Sequence, residues 1–252
     1  MEKQITVAYF SPTGGTRRAA LALAKGLAEE IKELDLSRLK GETPAFSEKE
    51  LVLFAAPVFG GRIPEVLVHV LNTLQGNGAR AVTAAVYGNR AFDDALLELN
   101  KTVKESDFTI IASAALVAQH SMAPAVGAGR PDPEDCFQLK DFARRILEKL
   151  EHGGGEPAVP GNPDFLPRKP GAAIPETSEA CVRCGACARN CPVGAIPLER
   201  PETTDPAKCI LCMRCVNLCT KKARSLPAAM AAGVAAKLAP CLEVRRENEL
   251  FL

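Results

Sequence analysis

Residues 3–27 read KQITVAYFSPTGGTRRAALALAKGL, and this stretch decides the fold. Ile5, Val7 and Tyr9 alternate within an apolar, β-branched run over residues 3–10, as a strand requires, and the run stops at SPTGGT. Ala19, Ala20, Leu23, Ala24 and Leu27 then recur at three- and four-residue steps, the period of a helix with one apolar face. In a strand, glycine-containing loop and helix of this kind, the loop amides and the helix N-terminus face one point where partial positive charge favours an anion. Ser11, Thr13 and Thr16 add hydroxyl donors around Gly14 and Gly15. Neither G-x4-G-K-[ST] nor G-x-G-x-x-G is present, which disfavours a magnesium–nucleoside triphosphate or a dinucleotide and leaves a single terminal phosphate. A plain strand-to-helix turn is the alternative.

Working outward, residues 50–56 (ELVLFAA) are a continuous apolar run of the kind expected for a buried parallel strand. It empties into Pro57, Val58, Phe59, Gly60, Gly61, Arg62, Ile63 and Pro64, and a helix is expected over residues 65–74, with Val66, Val70 and Leu74 on one face. The strand expected over residues 79–86 empties into Tyr87, Gly88, Asn89, Arg90, Ala91 and Phe92, before a helix with Leu96, Leu97 and Val103 apolar. A fifth strand over residues 108–117 leads to His120, and acidic residues from Asp132 to Asp135 start a helix over residues 136–150. Strands alternating with helices predict an α/β fold, a doubly wound parallel sheet with its ligand at the carboxyl ends of the strands.

With these loops, SPTGGT resembles the [ST]-x-T-G-x-T phosphate loop of flavodoxins. That resemblance implies a five-stranded sheet in the order 2-1-3-4-5, and FMN with its phosphate on Ser11, Thr13, Gly14, Gly15 and Thr16. It also implies that Pro57, Val58, Phe59, Gly60, Gly61 and Arg62 lie along the flavin ring, with Tyr87, Gly88, Asn89 and Phe92 at its other edge. In the family a glycine-containing peptide beside the ring reorients on reduction, a role that Gly60 and Gly61 match. The chain has no tryptophan, so Phe59, Tyr87 and Phe92 are the aromatics left to stack, and a more open flavin is expected; core packing is the alternative for each. Arg62 either steadies the carbonyl side of the ring or faces solvent, and His120 is either a flavin or substrate contact or a structural residue.

A second stretch, residues 181–220, reads CVRCGACARNCPVGAIPLERPETTDPAKCILCMRCVNLCT. Eight of the ten cysteines fall in it, as two copies of C-x2-C-x2-C-x3-C, the first closed by Pro192 and the second followed by Thr220. A cubane cluster needs four thiolates at tetrahedral corners, and a tight loop with three closely spaced cysteines wraps three of them. Zinc ribbons use paired C-x2-C knuckles rather than triplets, and such short steps are poorly placed for disulfides. The spacing resembles a bacterial 2×4Fe–4S ferredoxin, in which the fourth cysteine of each run ligates the other cluster. The resemblance therefore assigns Cys181, Cys184, Cys187 and Cys219 to one cluster, and Cys209, Cys212, Cys215 and Cys191 to the second. Cys136 reads as an inert core thiol, and Cys241 is surplus to the eight ligands.

At 252 residues the chain has room for one large domain and one small one. The expected division is a flavodoxin-like domain over residues 1–150, a proline- and glycine-rich linker over 151–175, a ferredoxin domain over 176–227, and a tail over 228–252 that forms a helix packing back, because Phe251 and Leu252 would otherwise be exposed. The whole order resembles the flavodoxin–ferredoxin fusions. Residues 176–227 carry eight Lys/Arg against five Asp/Glu, while residues 1–175 carry twenty against twenty-two. A basic module attracts an acidic redox partner protein, although a merely solvated surface is the plain alternative. MEKQITVAYF runs straight into a strand, and the longest apolar run, 226–240, is interrupted by Lys237. No signal peptide, membrane insertion or nucleic-acid partner is expected, and the chain reads as cytoplasmic and suited to anaerobic conditions. The expected function is electron transfer between two 4Fe–4S clusters and FMN. FMN-dependent reduction of a quinone or nitro compound is the alternative, and a redox sensor is a third class.

Overall fold

In the computed structural model, which describes residues 1–39, 43–168 and 173–252, the opening stretch forms β1 (Glu2–Tyr9) and α1 (Gly15–Leu27). The chain then passes directly into β2 (Ala28–Asp35), the strand whose sequence, AEEIKELD, gives no apolar run. β2 pairs in parallel with β1 as an edge strand. Its four acidic residues keep that edge unattractive to further strands.

The remaining parallel strands are β3 (Leu51–Pro57), β4 (Arg80–Tyr87) and β5 (Thr109–Val117), joined by α2 (Glu65–Leu71) and α3 (Ala95–Glu105) and followed by α4 (Pro133–His152). They stand in the order β2-β1-β3-β4-β5, as the sequence implies. Every residue of β3 is buried, which is why its sequence is continuously apolar. Successive residues of β1 serve opposite faces of the sheet. Ile5 and Val7 pack with Leu23 and Leu27 of α1 and with Phe142 and Ile146 of α4. Ala8 and Phe10 pack with Leu67 and Leu71 of α2 and with Leu96 and Leu99 of α3. Truncating any of these leucines to alanine is expected to cost about 2–5 kcal/mol. Helix α4 starts earlier than its apolar pattern suggests, because Asp132 accepts from Asp135 N–H while the Asp135 carboxylate accepts from Asp132 N–H.

The cysteine segment contributes β6 (Glu176–Thr177), α5 (Ala186–Arg189), α6 (Arg214–Leu218) and β7 (Arg224–Ser225), with β6 and β7 antiparallel. The alanine-rich segment beyond it forms α7 (Ala228–Leu238), but the end of the tail is not the helix expected of it. It is β8 (Glu249–Phe251), a sixth strand added antiparallel to β5. The large sheet would otherwise end in an unpaired β5, and this addition covers that edge and sets Phe251 against Phe92.

Residues 169–172 of the expected linker lie outside the described residues. The part before them runs along α3 and is pinned there. Asp94 accepts from the amides of Asn162 and Leu166, at 2.9 and 2.7 Å. Glu98 receives Arg62, Arg168 and the Ile63 amide. Among the described residues no helix is long and apolar enough to cross a membrane.

Candidate functional site

The loop between β1 and α1 leaves the Thr13 and Thr16 hydroxyls without a partner among the described residues. Gly14 precedes the helix at φ 89°, a conformation that favours glycine, and as the N-cap residue it has no side chain to occupy the first amides. That turn carries no acidic residue, so nothing competes for an anion at the helix N-terminus. The Ser11 hydroxyl accepts from Arg17 N–H at 2.9 Å and ties the loop to the helix. The arrangement fits a phosphate.

The second loop is a tight turn. Phe59 and Arg62 exchange backbone hydrogen bonds across Gly60 and Gly61, whose φ angles are 61° and 88°. Both central residues need positive φ, hence the glycine pair. A side chain on Gly60 would meet nothing within 4 Å, whereas one on Gly61 would strike Asp93 and Leu166 at 2.8 and 2.9 Å. Val58 is fixed by its amide on Val86 O at 2.9 Å, at the end of the buried Pro57. Arg62 is not available to a flavin carbonyl. Its guanidinium forms a two-pronged pair with Glu98 at 2.7 and 2.5 Å and donates to Leu166 O, beneath the ring of Phe165. Breaking this largely buried pair from the Glu98 side would leave two arginines uncompensated, at a cost of about 3–5 kcal/mol.

The third loop is taken by the tail. Asn89, buried at φ 58°, donates to Cys241 O and Val244 O at 2.9 and 2.7 Å and accepts from Arg246 N–H. Tyr87 is buried, with its hydroxyl on Glu247 O, and packs on Phe92, which packs in turn on Phe251. Burial pushes the Tyr87 phenol up to about 12. The side chains of Tyr87, Asn89 and Phe92 therefore hold the chain's own terminus rather than presenting themselves to a ring, which corrects the expectation drawn for them. Gly88 is required by His120, whose Cδ2 would lie 2.5 Å from an added Cβ. His120 Nδ1 accepts from the amides of Met122 and Ala123, both at 3.2 Å, and burial followed by Arg90 lowers its pKa, so it is a neutral structural residue.

The two cysteine runs are built on one backbone plan. Positive φ recurs at matched offsets: Arg183 and Leu211 both at 51°, Gly185 and Met213 at 72° and 63°, Gly194 and Lys222 at 62° and 52°. The last cysteine of each run accepts an amide from the residue four places on, Ala195 to Cys191 Sγ and Ala223 to Cys219 Sγ, both at 3.3 Å. Thr220 thus does not disturb the turn that Pro192 closes in the first copy. Cys191, Cys209, Cys212 and Cys215 line a single cavity, one cysteine from the first run with three from the second, as the crossed pairing requires. Among the described residues no group of three or more such ligands converges on a single ion. Burial pushes the thiols of Cys209, Cys212 and Cys215 up, Cys212 to about 12, so they would ionise only against a bound positive centre. The donor set fits an iron–sulfur cluster. Cys181, Cys187 and Cys219 are partly buried and Cys184 is exposed.

One residue outside the expected set joins the two halves. Arg214, 6% exposed, lines the cysteine cavity, and its guanidinium donates to Ser11 O and Pro12 O, both at 3.2 Å, and to Asn190 O at 3.4 Å. Arg38 adds a bond to Asn190 Oδ1, and Ile210 packs against the core cluster of α2 and α3. Nothing in the C-x2-C spacing marks Arg214, because its partners are carbonyls some two hundred residues away. Asp94 and Glu98 carried a weak signal, as acidic residues four apart on an otherwise apolar helix face.

Residues 6–104 match the family model of a flavodoxin domain, and residues 180–223 that of a 4Fe-4S dicluster domain. No curated protein matches the chain. Among solved structures, a Streptococcus pneumoniae flavodoxin is similar at 14% identity over 58% of this chain and 99% of that one, with a TM-score of 0.41. A flavodoxin from the domain Archaea is similar at 18% identity over 59% and 99%, with a TM-score of 0.37. An NADH:FMN oxidoreductase, EMOB, is similar at 13% identity over 58% and 89%, with a TM-score of 0.40.

Proposed function

We propose that this chain, a flavodoxin domain fused to a 4Fe-4S dicluster domain, is an electron-transfer protein that passes single electrons between two 4Fe–4S clusters and FMN. When bound, the clusters change by one electron each and the flavin by one or two, so the pair joins one-electron to two-electron chemistry. The chain's own contribution is placement. Ser11, Thr13, Gly14, Gly15 and Thr16 would hold the FMN phosphate, and the Phe59–Arg62 turn presents its open glycine beside the ring. Cys191, Cys209, Cys212 and Cys215 would hold one cluster, and Cys181, Cys184, Cys187 and Cys219 the other.

The observation that carries this reading is Arg214. It sits between Cys212 and Cys215 and is fastened to the carbonyls of the phosphate loop, so the inner cysteine set and the anion cradle form one unit. The protein reconstituted without oxygen should contain about eight irons and one FMN per chain. Zinc in place of iron, or fewer than about five irons, would overturn the ligand assignment.

A second reading, reduction of a small acceptor such as a quinone or nitro compound by FMN fed through the clusters, is favoured by the exposed Gly60, against which nothing packs. Saturable turnover of such an acceptor with reduced ferredoxin or NAD(P)H would select it. Transfer to a redox partner protein, with no saturation by small acceptors, selects the carrier. An acidic partner fits the basic cysteine module, and an interior location fits the free thiols.

A further inference from the structure

Arg214 touches three parts of the chain at once. Its guanidinium, 6% exposed, donates to Ser11 O and Pro12 O, both at 3.2 Å, and to Asn190 O at 3.4 Å. Asn190 stands directly before the last cysteine of the first run, and Arg214 itself lies between Cys212 and Cys215 of the second. One side chain therefore holds both cysteine runs against the loop that opens α1. Ser11 and Pro12 are buried, and among the described residues no other side chain donates to either carbonyl. Arg214 forms no ion pair with a carboxylate among those residues, so its charge is answered by carbonyl dipoles.

These bonds bear on the cradle in two ways. In a planar trans peptide, C=O and N–H point in opposite directions, so holding Pro12 O on Arg214 turns the Thr13 amide away from the cysteine module. That amide has no backbone partner among the described residues and is left to a ligand. The second contribution is charge. The loop Ser11–Thr16 contains no basic residue; Arg17 beside it is paired with Glu33, and Arg18 stands in solvent. A buried cation behind the loop strengthens the attraction for an anion in front of it.

The position of Arg214 depends in turn on the cysteine module, which has little core of its own. Apart from Pro201, the apolar residues buried between Glu176 and Pro227 are Ala195, Ile196, Met213 and Ala223. None of them joins the clusters that fill the sheet's two faces. A segment with so little apolar burial is ordered by metal ligation, as small metal-binding domains generally are. Resting on the electron-transfer reading above, we infer that Arg214 couples the two cofactor sites: ligation of a cluster by Cys191, Cys209, Cys212 and Cys215 fixes Arg214, and Arg214 fixes the phosphate loop for FMN. Coupling of this kind is reciprocal, so FMN strengthens the hold on iron by the same factor. Arg214 is a positioning residue that acts through the Pro12–Thr13 peptide and through its own charge. A chain without its clusters therefore holds FMN weakly.

The test is calorimetric titration of FMN, without oxygen and with thiols kept reduced, into the full chain carrying its iron and into the same chain stripped by a chelator. It is run on wild type, Arg214→Met, Arg214→Lys and Arg38→Ala. Iron-loaded wild type should bind FMN about tenfold more tightly than stripped wild type. Full-iron Arg214→Met should bind FMN as weakly as stripped wild type, and Arg214→Lys, which keeps the cation, should recover much of the difference. Arg38→Ala, whose lost bond reaches Asn190 but not the loop, should behave as wild type. Riboflavin, which has the ring and no phosphate, should bind with the same affinity whether iron is present or not. In the reverse direction, FMN should raise the fraction of iron that survives a fixed chelator concentration, and riboflavin should not. Equal FMN affinity in loaded and stripped wild type overturns the inference, as does an undiminished iron dependence in full-iron Arg214→Met. Should Arg214→Met fail to hold iron, the wild-type comparison decides alone: an FMN-to-riboflavin affinity ratio that falls about tenfold on stripping supports the coupling, and an unchanged ratio rejects it. Wild type that binds iron and FMN independently overturns only the coupling. Wild type that fails to bind iron or FMN overturns the electron-transfer reading itself.

Discussion

The loop Ser11–Thr16 and the loop Tyr87–Phe92 stand at the ends of two strands of one parallel sheet, yet the first keeps two threonine hydroxyls open while the second commits its side chains to the tail. The first ends in a helix with glycine at its N-cap and no acid in its first turn, and Ser11 takes only the Arg17 amide. The second spends Asn89 on three backbone groups of the tail, and Tyr87 packs tilted on Phe92, which meets Phe251 edge-on. Equivalent positions in the fold thus differ in how their polar groups are spent: open hydroxyls at the first loop suit a ligand, and satisfied ones at the second hold the molecule together.

The largest effect that would break this contrast lies at Asn89. Asn89→Ala strands several buried backbone groups of the tail and should cost about 3 kcal/mol, read by calorimetry as a lower Tm, with FMN affinity nearly unchanged. A tenfold loss of FMN binding at unchanged Tm would put Asn89 back at the flavin. Thr16→Val should do the reverse: FMN affinity falls about tenfold, the loss of one hydrogen bond to a charged group, while the apoprotein keeps its stability to within ~0.5 kcal/mol.

Acid should loosen the tail. Arg245, with the Asp135 amide, holds the Asp132 carboxyl well below the usual range. Because the folded value is lowered, the stabilisation is present above the ordinary aspartate pKa of ~3.9 and is lost as pH falls below it. Tail amides should therefore gain hydrogen exchange below about pH 4. The smallest effect is spectroscopic. The chain has two tyrosines and no tryptophan, so the phenolate absorbance is simple to assign. Tyr87 should ionise near pH 12 in the folded protein, its stabilisation present below the ordinary value of ~10 and lost as pH rises through that window. In Phe251→Ala its titration should move back toward that ordinary value.

The sheet was legible because its central strands are apolar on both faces, as β3 shows residue by residue. β2 was not, since an edge strand needs only Ile31 and Leu34 packed on the sheet's two faces and no apolar run marks it. The phosphate loop and the cysteine spacing are local signals, and local signals survive in a sequence. Arg214 on the phosphate loop, Arg62 on Glu98 and the tail on Asn89 are long-range pairings, and no periodicity encodes them. The tail differs in a particular way: its sequence implies cover for Phe251, but whether a strand or a helix provides it depends on the open edge of β5.

The central claim is that electrons placed on the cysteine module reach the flavin within the same chain. Pulsed anaerobic reduction of the reconstituted protein, with cluster and flavin absorbance followed in time, tests it most directly. The account predicts that cluster reduction is followed by flavin reduction at a first-order rate independent of protein concentration, and that the rate drops in Arg214→Ala as the module loosens from the phosphate loop. Flavin reduction that scales with protein concentration, or that never follows the clusters, would contradict it.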